Sequence, residues 1–325
     1  MLSRVAERIY WMARYLERAE NTARLINVNT HLLLDMPRGV TLGWTPLTDI
    51  MGGKTLYEEL YTEANERNII KFLAVDLKNP SSIITCIYFA RENARTIRDI
   101  IPVDSWEAIN DLYDCVKEKL PISLSRKNRF PLLQDLIEQV QQVSGILAGT
   151  MLRGNGYHFL KLGRYLERAD MTSRILDVRS ENLLEQETGD LPPFEHIQWV
   201  SVLNSLSAYQ SYRQEVRGLI RSSSVLEFLL RNHYFPRSFA HCMGEAKHCL
   251  RNLPHSKELK QCVDRIGAQL NSLDMTEIKD ESLYVLIDQL QVELADLNNE
   301  ISETYFSLER DTKIEKIKEL KLVES

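Results

Sequence analysis

Cysteine is sparse and odd in number: Cys86, Cys115, Cys242, Cys249 and Cys262 include no C-x-x-C pair, which argues against a zinc ribbon and against a disulfide framework. Glycine and proline are also few, at 13 and 10 in 325 residues, too few breakers for a turn-rich all-β chain. Basic residues do not outnumber acidic ones: 40 Lys and Arg against 46 Asp and Glu leave a net charge of −6, which excludes a general phosphate-backbone binder, so no nucleic-acid partner is expected. No uncharged run approaches the ~20 residues of a membrane span, and Arg4, Glu7, Arg8 and Arg14 interrupt the apolar start, so neither a signal peptide nor a membrane anchor is expected. Reduced thiols and these absences together predict a cytoplasmic protein. Walker A, G-x-G-x-x-G, G-x-S-x-G and H-E-x-x-H patterns are missing, which removes the common nucleotide, hydrolase and zinc-protease routes.

What is present is helical periodicity almost throughout. The pattern predicts an all-α chain, an antiparallel helical bundle or array. Helices are expected from about 3 to 35, then around 55–76, 82–100, 103–119 and 130–151, with Ser81 and Asp104 as N-caps and 121–131 as a connector. A Gly/Pro/Thr loop with Trp44 and Pro46 follows the first helix. Beyond Gly154-Asn155-Gly156 a second long helix runs to about 187, and a linker is expected near 186–194. Further helices fall near 195–218, 223–232, 237–253, 256–273 and 281–321. The chain reads as one domain, residues 1–325, with pseudo-repeat halves of about 1–150 and 151–325.

The sharp signal is a repeat. Arg14-Tyr15-Leu16-Glu17-Arg18-Ala19-Glu20-Asn21-Thr22-Ala23-Arg24 recurs as Arg164-Tyr165-Leu166-Glu167-Arg168-Ala169-Asp170-Met171-Thr172-Ser173-Arg174, and nine of the fifteen positions from 14 to 28 match their counterparts 150 residues on. A duplication of one long motif helix is the simplest origin. At helical spacing Val5, Ile9, Met12, Leu16, Ala19 and Ala23 form an apolar stripe, matched by Phe159, Leu162, Leu166 and Ala169. Beside it stand ionic columns: Glu17, Glu20 and Arg24 in one copy, Glu167, Asp170 and Arg174 in the other. Arg14, Arg18, Arg164 and Arg168 point further round the helix, towards solvent, a partner or an anion.

If the two stripes pack together, the columns meet and must be paired internally, with Glu20–Arg24 and Asp170–Arg174 spaced for i,i+4 ion pairs. Three readings stay open. The cluster is a structural network, or a site in which arginines grip a carboxylate or phosphate, or a four-carboxylate divalent-metal site. The neighbouring arginines and the lack of paired Glu-x-x-His elements count against the metal, so no metal ligand or cofactor is assigned. His241, Glu245 and His248, with Cys242 and Cys249 one residue on, read as ordinary helix residues, as do Tyr10, Trp11, Tyr15, Trp106 and Trp199. Arg91 and Arg95, in Arg91-Glu92-Asn93-Ala94-Arg95, are a secondary anion-site candidate. The stretch Phe228 to Phe239 reads as a helix end, a turn at Pro236 and a new helix capped near Ser238.

The opening Leu2 to Arg24 resembles the start of the alpha-E family of bacterial all-helical domains, named for a Glu-Arg motif. Phe89 to Arg95, Leu162 to Asp170 and Phe235-Pro236-Arg237-Ser238 agree in order, while the chain beyond about 255 carries no distinctive match. The resemblance implies association with circularly permuted ATP-grasp proteins, which join a carboxylate to an amine through an acyl-phosphate. On that footing the chain is expected to be a helical partner or substrate-presenting subunit of a peptide ligase, with a peptide or acidic small molecule at the paired columns. The resemblance transfers no catalytic residue. A free-standing enzyme using the acid cluster, with a divalent metal, is the alternative.

Overall fold

A computed structural model describes residues 2–35, 43–122, 124–184, 192–271 and 280–307. Among them stand fourteen α-helices and no strand, as the periodicity predicts. In chain order they are α1 (Ser3–Asp35), α2 (Pro46–Ile50), α3 (Lys54–Leu60), α4 (Glu66–Ala74), α5 (Ile83–Arg95), α6 (Val103–Lys119), α7 (Arg126–Thr150), α8 (Asn155–Leu184), α9 (Pro192–Ser205), α10 (Tyr209–Glu215), α11 (Ser222–Arg231), α12 (Phe239–Arg251), α13 (Lys257–Asn271) and α14 (Asp280–Tyr305).

The long motif helices α1 and α8 form the centre, and they run in the same direction. Contacts climb along both together: Ile9 meets Gly156, Tyr10 meets Gly163, Arg14 meets Glu167 and Glu17 meets Arg168. Gly163 permits the closest approach. A Cβ there would lie 2.4 Å from the Tyr10 carbonyl oxygen, so only glycine lets the two backbones cross at this distance. Around this pair the neighbours are antiparallel. Helix α5 lies against α1 through Arg8–Asn93 and Tyr15–Phe89, and α7 through Gln141–Glu20 and Asn27–Phe130. Helix α12 lies against α8 through Lys161–Glu245 and Tyr165–His241, and α14 through Phe159–Tyr305.

The predicted stripe is core: Ile9, Met12, Leu16, Ala19 and Ala23 are buried, as are Phe159, Leu162, Leu166 and Ala169. Boundaries depart from the periodicity in several places, α5 for one ending at Arg95 rather than near 100. The expected helix 55–76 breaks after Leu60, and the Asn65 side chain caps α4 by accepting from the Asn68 N–H at 2.9 Å. The expected helix 195–218 breaks at Ser207, whose left-handed φ of 54° and the Ala208 N–H to Leu203 carbonyl bond end α9. Ser82, not Ser81, caps α5, and Pro102, not Asp104, precedes α6, leaving Asp104 in its first turn. The 121–131 connector is shorter than expected, because α7 starts at Arg126 and carries Pro131 in its second turn.

Most of the 186–194 linker, and the expected 281–321 helix beyond 307, lie outside the described residues. Pro192 and Pro193 already belong to α9. Trp44 and Pro46 lie at the start of α2, with proline in the first helical position that suits it. Among the described residues no helix is long and apolar enough to cross a membrane.

Candidate functional site

The crossing of α1 and α8 brings the two Glu-Arg motifs face to face. Glu167, its side chain 1% exposed, accepts from Arg14 Nε at 2.7 Å, from Arg18 Nε at 2.5 Å and from Arg18 Nη2 at 3.0 Å. Glu17, 2% exposed, accepts from Arg168 Nε at 2.9 Å and from Arg237 Nη1 at 2.7 Å. Each motif glutamate is therefore neutralised by arginine of the opposite motif, Glu17 by Arg168 and Glu167 by Arg18. Arg14, Arg18 and Arg168 thus turn inward across the crossing rather than towards solvent. The side-chain rotation that a flat helical projection does not show carries their guanidinium groups over the neighbouring helix.

The i,i+4 pairs form as spaced. Arg24 donates to Glu20, and Arg174 Nε donates to Asp170 at 2.9 Å. Glu20 also accepts from Arg237 Nη2 at 2.8 Å and from Gln141 at 3.2 Å. Arg91 and Arg95 are elsewhere: Arg91 lies over the Tyr113 and Trp106 rings and donates to Asn110, and both pair with Glu92, so neither joins the centre.

Burial alone would raise the carboxyl of Glu17, yet Arg168 and Arg237 hold it at about 2; Glu167 is likewise held at about 2 by Arg18 and Arg14 against its own burial. Both are ionised throughout the neutral range. Burial pushes the thiols of Cys86 and Cys242, one on each side of the centre, up to about 12, so neither is a nucleophile at neutral pH.

Arg237 is the participant that periodicity does not reveal. It sits just before Ser238, whose hydroxyl caps α12 by accepting from the His241 N–H, and the Pro236 turn aims it at Glu17, Glu20 and Asn21. One residue before the Ser82 cap of α5 stands Ser81, whose hydroxyl takes a 3.5 Å bond from Arg18. Its presence in Phe235-Pro236-Arg237-Ser238 is the signal available in the sequence. The far end of the chain also contributes: Asn298 of α14 accepts from Arg14 Nη1 at 2.6 Å and from the Tyr10 hydroxyl at 2.7 Å.

This arrangement serves the two motif glutamates differently. Arg237 occupies beside Glu17 the role that Arg14 plays beside Glu167, and Arg164, the counterpart of Arg14, makes no hydrogen bond or ion pair among the described residues. Burial and the Arg168 charge both lower its proton affinity. The centre gathers seven arginines (14, 18, 24, 164, 168, 174 and 237) against four carboxylates (Glu17, Glu20, Glu167 and Asp170), a positive surplus in an acidic chain.

Among the described residues no group of three or more His, Cys, Asp or Glu is placed to hold a metal ion. Glu245 pairs with Lys161 and His241 Nδ1 faces the His233 carbonyl, so that helix face is committed to protein contacts.

A parallel pair of Glu-Arg helices, locked by reciprocal buried ion pairs inside an all-helical array, defines the class. Residues 1–306 match the alpha-E family, described as a predicted alpha-helical domain with a conserved ER motif, and the chain belongs to that family. Similar proteins include uncharacterized protein Mb2597 of Mycobacterium bovis and uncharacterized protein Rv2567 of Mycobacterium tuberculosis, each 23% identical over 318 residues covering 90% of this chain and 34% of the relative. The chain thus spans about a third of the length of these relatives. No solved structure matches it.

Proposed function

We propose that the chain is a helical partner, presenting substrate to an ATP-grasp-type amide ligase, and that the Arg/Glu centre is its peptide or anion site. The observation that carries this reading is the surplus arginine. A network built only to fix helix register needs charges that balance, because an unpaired buried charge costs several kcal/mol. Glu17 and Glu167 fit such a network. Arg164 does not: it is half-buried, feels Glu17 and Glu20 only at a distance and makes no ion pair among the described residues, so its donor fork suits a carboxylate or phosphate.

Three observations favour a binding role over catalysis by the chain alone. Glu17 and Glu167 are each held by two arginines, which leaves them ionised and poorly placed as proton carriers near neutrality. The nearby thiols are protonated. In the mycobacterial relatives about two thirds of the chain lies outside the matched region, which fits a module that works beside other protein. The alpha-E resemblance supplies the kind of partner, a circularly permuted ATP-grasp protein.

Co-purification of the full chain with that protein tests the proposal directly. A complex at micromolar concentration is expected, and its absence sinks the partner reading. Arg164→Gln is expected to lower ligase product in the complex while leaving the chain folded; unchanged product excludes Arg164 from the site.

A further inference from the structure

A cleft of about 280 Å³ opens where α1, α7 and α9 meet, at the end of the ionic centre marked by Arg24. Its walls are mixed, with Val28, Phe130, Ile137 and Val200 on the apolar side and Arg24, Asn27 and Ser201 among the polar residues. Three residues that line it each keep a buried polar atom without a partner: Nε of Arg24, Oδ1 of Asn27 and Oγ of Ser201. Asn27 and Ser201 are 5% and 4% exposed, so water does not readily substitute for the missing contacts. Three orphans around one cleft are a site's worth of unmet chemistry. Arg24 offers an N–H donor, Ser201 a hydroxyl donor and Asn27 an acceptor, all beside an aliphatic wall.

We infer that this cleft binds the C-terminal residue of a peptide, taking its free carboxylate on Arg24 and Ser201, its N–H on Asn27 and an aliphatic side chain against Val28, Ile137 and Val200. Charge selects the carboxylate. Arg24 shares its partner Glu20 with Arg237 and Gln141, so that one carboxylate serves two guanidinium groups and an amide. Burial and the adjacent Arg237 both disfavour the Arg24 cation, and an incoming anion relieves that deficit. Phosphate fits less well, since it has neither the N–H that Asn27 requires nor a group to cover the aliphatic wall. The inference deepens the anion-site reading above by naming the ligand class at one end of that site, and it does not depend on the identity of the ligase partner.

The test uses the full chain and three probes: N-acetyl-L-leucine, N-acetyl-L-leucinamide and inorganic phosphate, with binding followed by calorimetry and by NMR of the Ile and Val methyls. N-Acetyl-L-leucine is expected to bind saturably. The amide, which lacks the charge, is expected to bind at least about tenfold more weakly, the loss expected when a charge-assisted hydrogen bond goes. Val200→Trp, which fills the cleft from a partly exposed position, is expected to abolish binding with circular dichroism unchanged, and Ser201→Ala to weaken it severalfold. Equal binding of acid and amide, phosphate as the preferred ligand, no binding of the acid at millimolar concentration, or indifference to both substitutions overturns the inference. Loss of the ATP-grasp complex in a chain that still binds N-acetyl-L-leucine defeats only the partner reading. A complex that forms without acid binding defeats only this one.

Discussion

Removing one motif carboxylate without changing its shape isolates the electrostatics of the crossing. In Glu167→Gln the amide keeps the volume but not the charge, and three donor contacts, from Arg14 Nε at 2.7 Å and from Arg18 at 2.5 and 3.0 Å, lose their anion. Arg14 is 8% exposed and the carboxylate side chain 1%, so solvent replaces little of what is lost. Arg14 retains Asn298 and Tyr10 as neutral acceptors, whereas Arg18 retains only the distant Ser81 hydroxyl. Breaking a buried pair from one side costs about 3–5 kcal/mol, and the Asn298 contact places the expected loss towards the lower end of that range.

Urea unfolding at pH 7 reads this as a lower midpoint at unchanged slope. The pH dependence is the sharper check. Burial alone would raise the Glu167 carboxyl, and Arg18 and Arg14 instead lower it from an ordinary value of 4.5 to about 2 in the fold. A depressed carboxyl contributes stability that is complete above its unfolded value and is lost as pH falls through the folded one. The gap between wild type and Glu167→Gln is therefore expected to be full above about pH 5 and to close between about pH 4.5 and 2. A loss under about 1 kcal/mol at pH 7, or a gap that persists unchanged to pH 2.5, would refute the claim that reciprocal ion pairs hold α1 and α8 together.

Three further perturbations separate the parts of the design. Gly163→Ala puts a methyl 2.4 Å from the Tyr10 carbonyl oxygen and is expected to cost at least about 2–3 kcal/mol, whereas Gly149→Ala on α7, where a Cβ meets nothing within 4 Å, should gain up to about 1 kcal/mol; differential urea midpoints of the two decide whether the crossing depends on that glycine. Arg237→Gln leaves Glu17 with Arg168 alone and Glu20 with Arg24 and Gln141, so a loss of about 2–4 kcal/mol in thermal or urea unfolding is expected, exceeding that of Arg164→Gln, which has no pair to break. Ser238→Ala removes the hydroxyl that accepts from His241 N–H and is expected to cost about 1 kcal/mol, measurable as faster amide exchange in the first turn of α12.

The parts of this molecule legible in the sequence are those governed by spacing along one helix. The stripe from Ile9 to Ala23 and the pairs Glu20–Arg24 and Asp170–Arg174 follow from 3.6 residues per turn and need no knowledge of what packs where. What spacing cannot give is direction between helices. Glu17 reaches Arg168, and Glu167 reaches Arg14 and Arg18, only because α1 and α8 run parallel across Gly163, and that crossing is set by contacts some 150 positions apart in the chain. The helix break at Ser207 escaped for a related reason: a left-handed serine leaves no glycine to mark it.

Arg237 was hidden more deeply, because it lies in a turn and its partners are on a helix more than 200 residues earlier. Yet Arg237 decides the character of the centre. Glu167 draws both its arginines, Arg14 and Arg18, from one motif helix, whereas Glu17 takes Arg168 from a motif helix and Arg237 from a turn. Arg237 supplies the second guanidinium from outside the motif and also draws on Glu20, which Arg24 shares where it borders the cleft between α1, α7 and α9. A pair of matched helices would otherwise be a closed structural lock. Arg237→Ser removes the guanidinium that Glu17 and Glu20 share, so it is expected to lose about as much stability as Arg237→Gln and, by leaving Glu20 to Arg24, to weaken anion binding at the cleft. Titration of that variant with N-acetyl-L-leucine, alongside its urea midpoint, distinguishes the outcomes: undiminished binding would show that the asymmetry is incidental to the site.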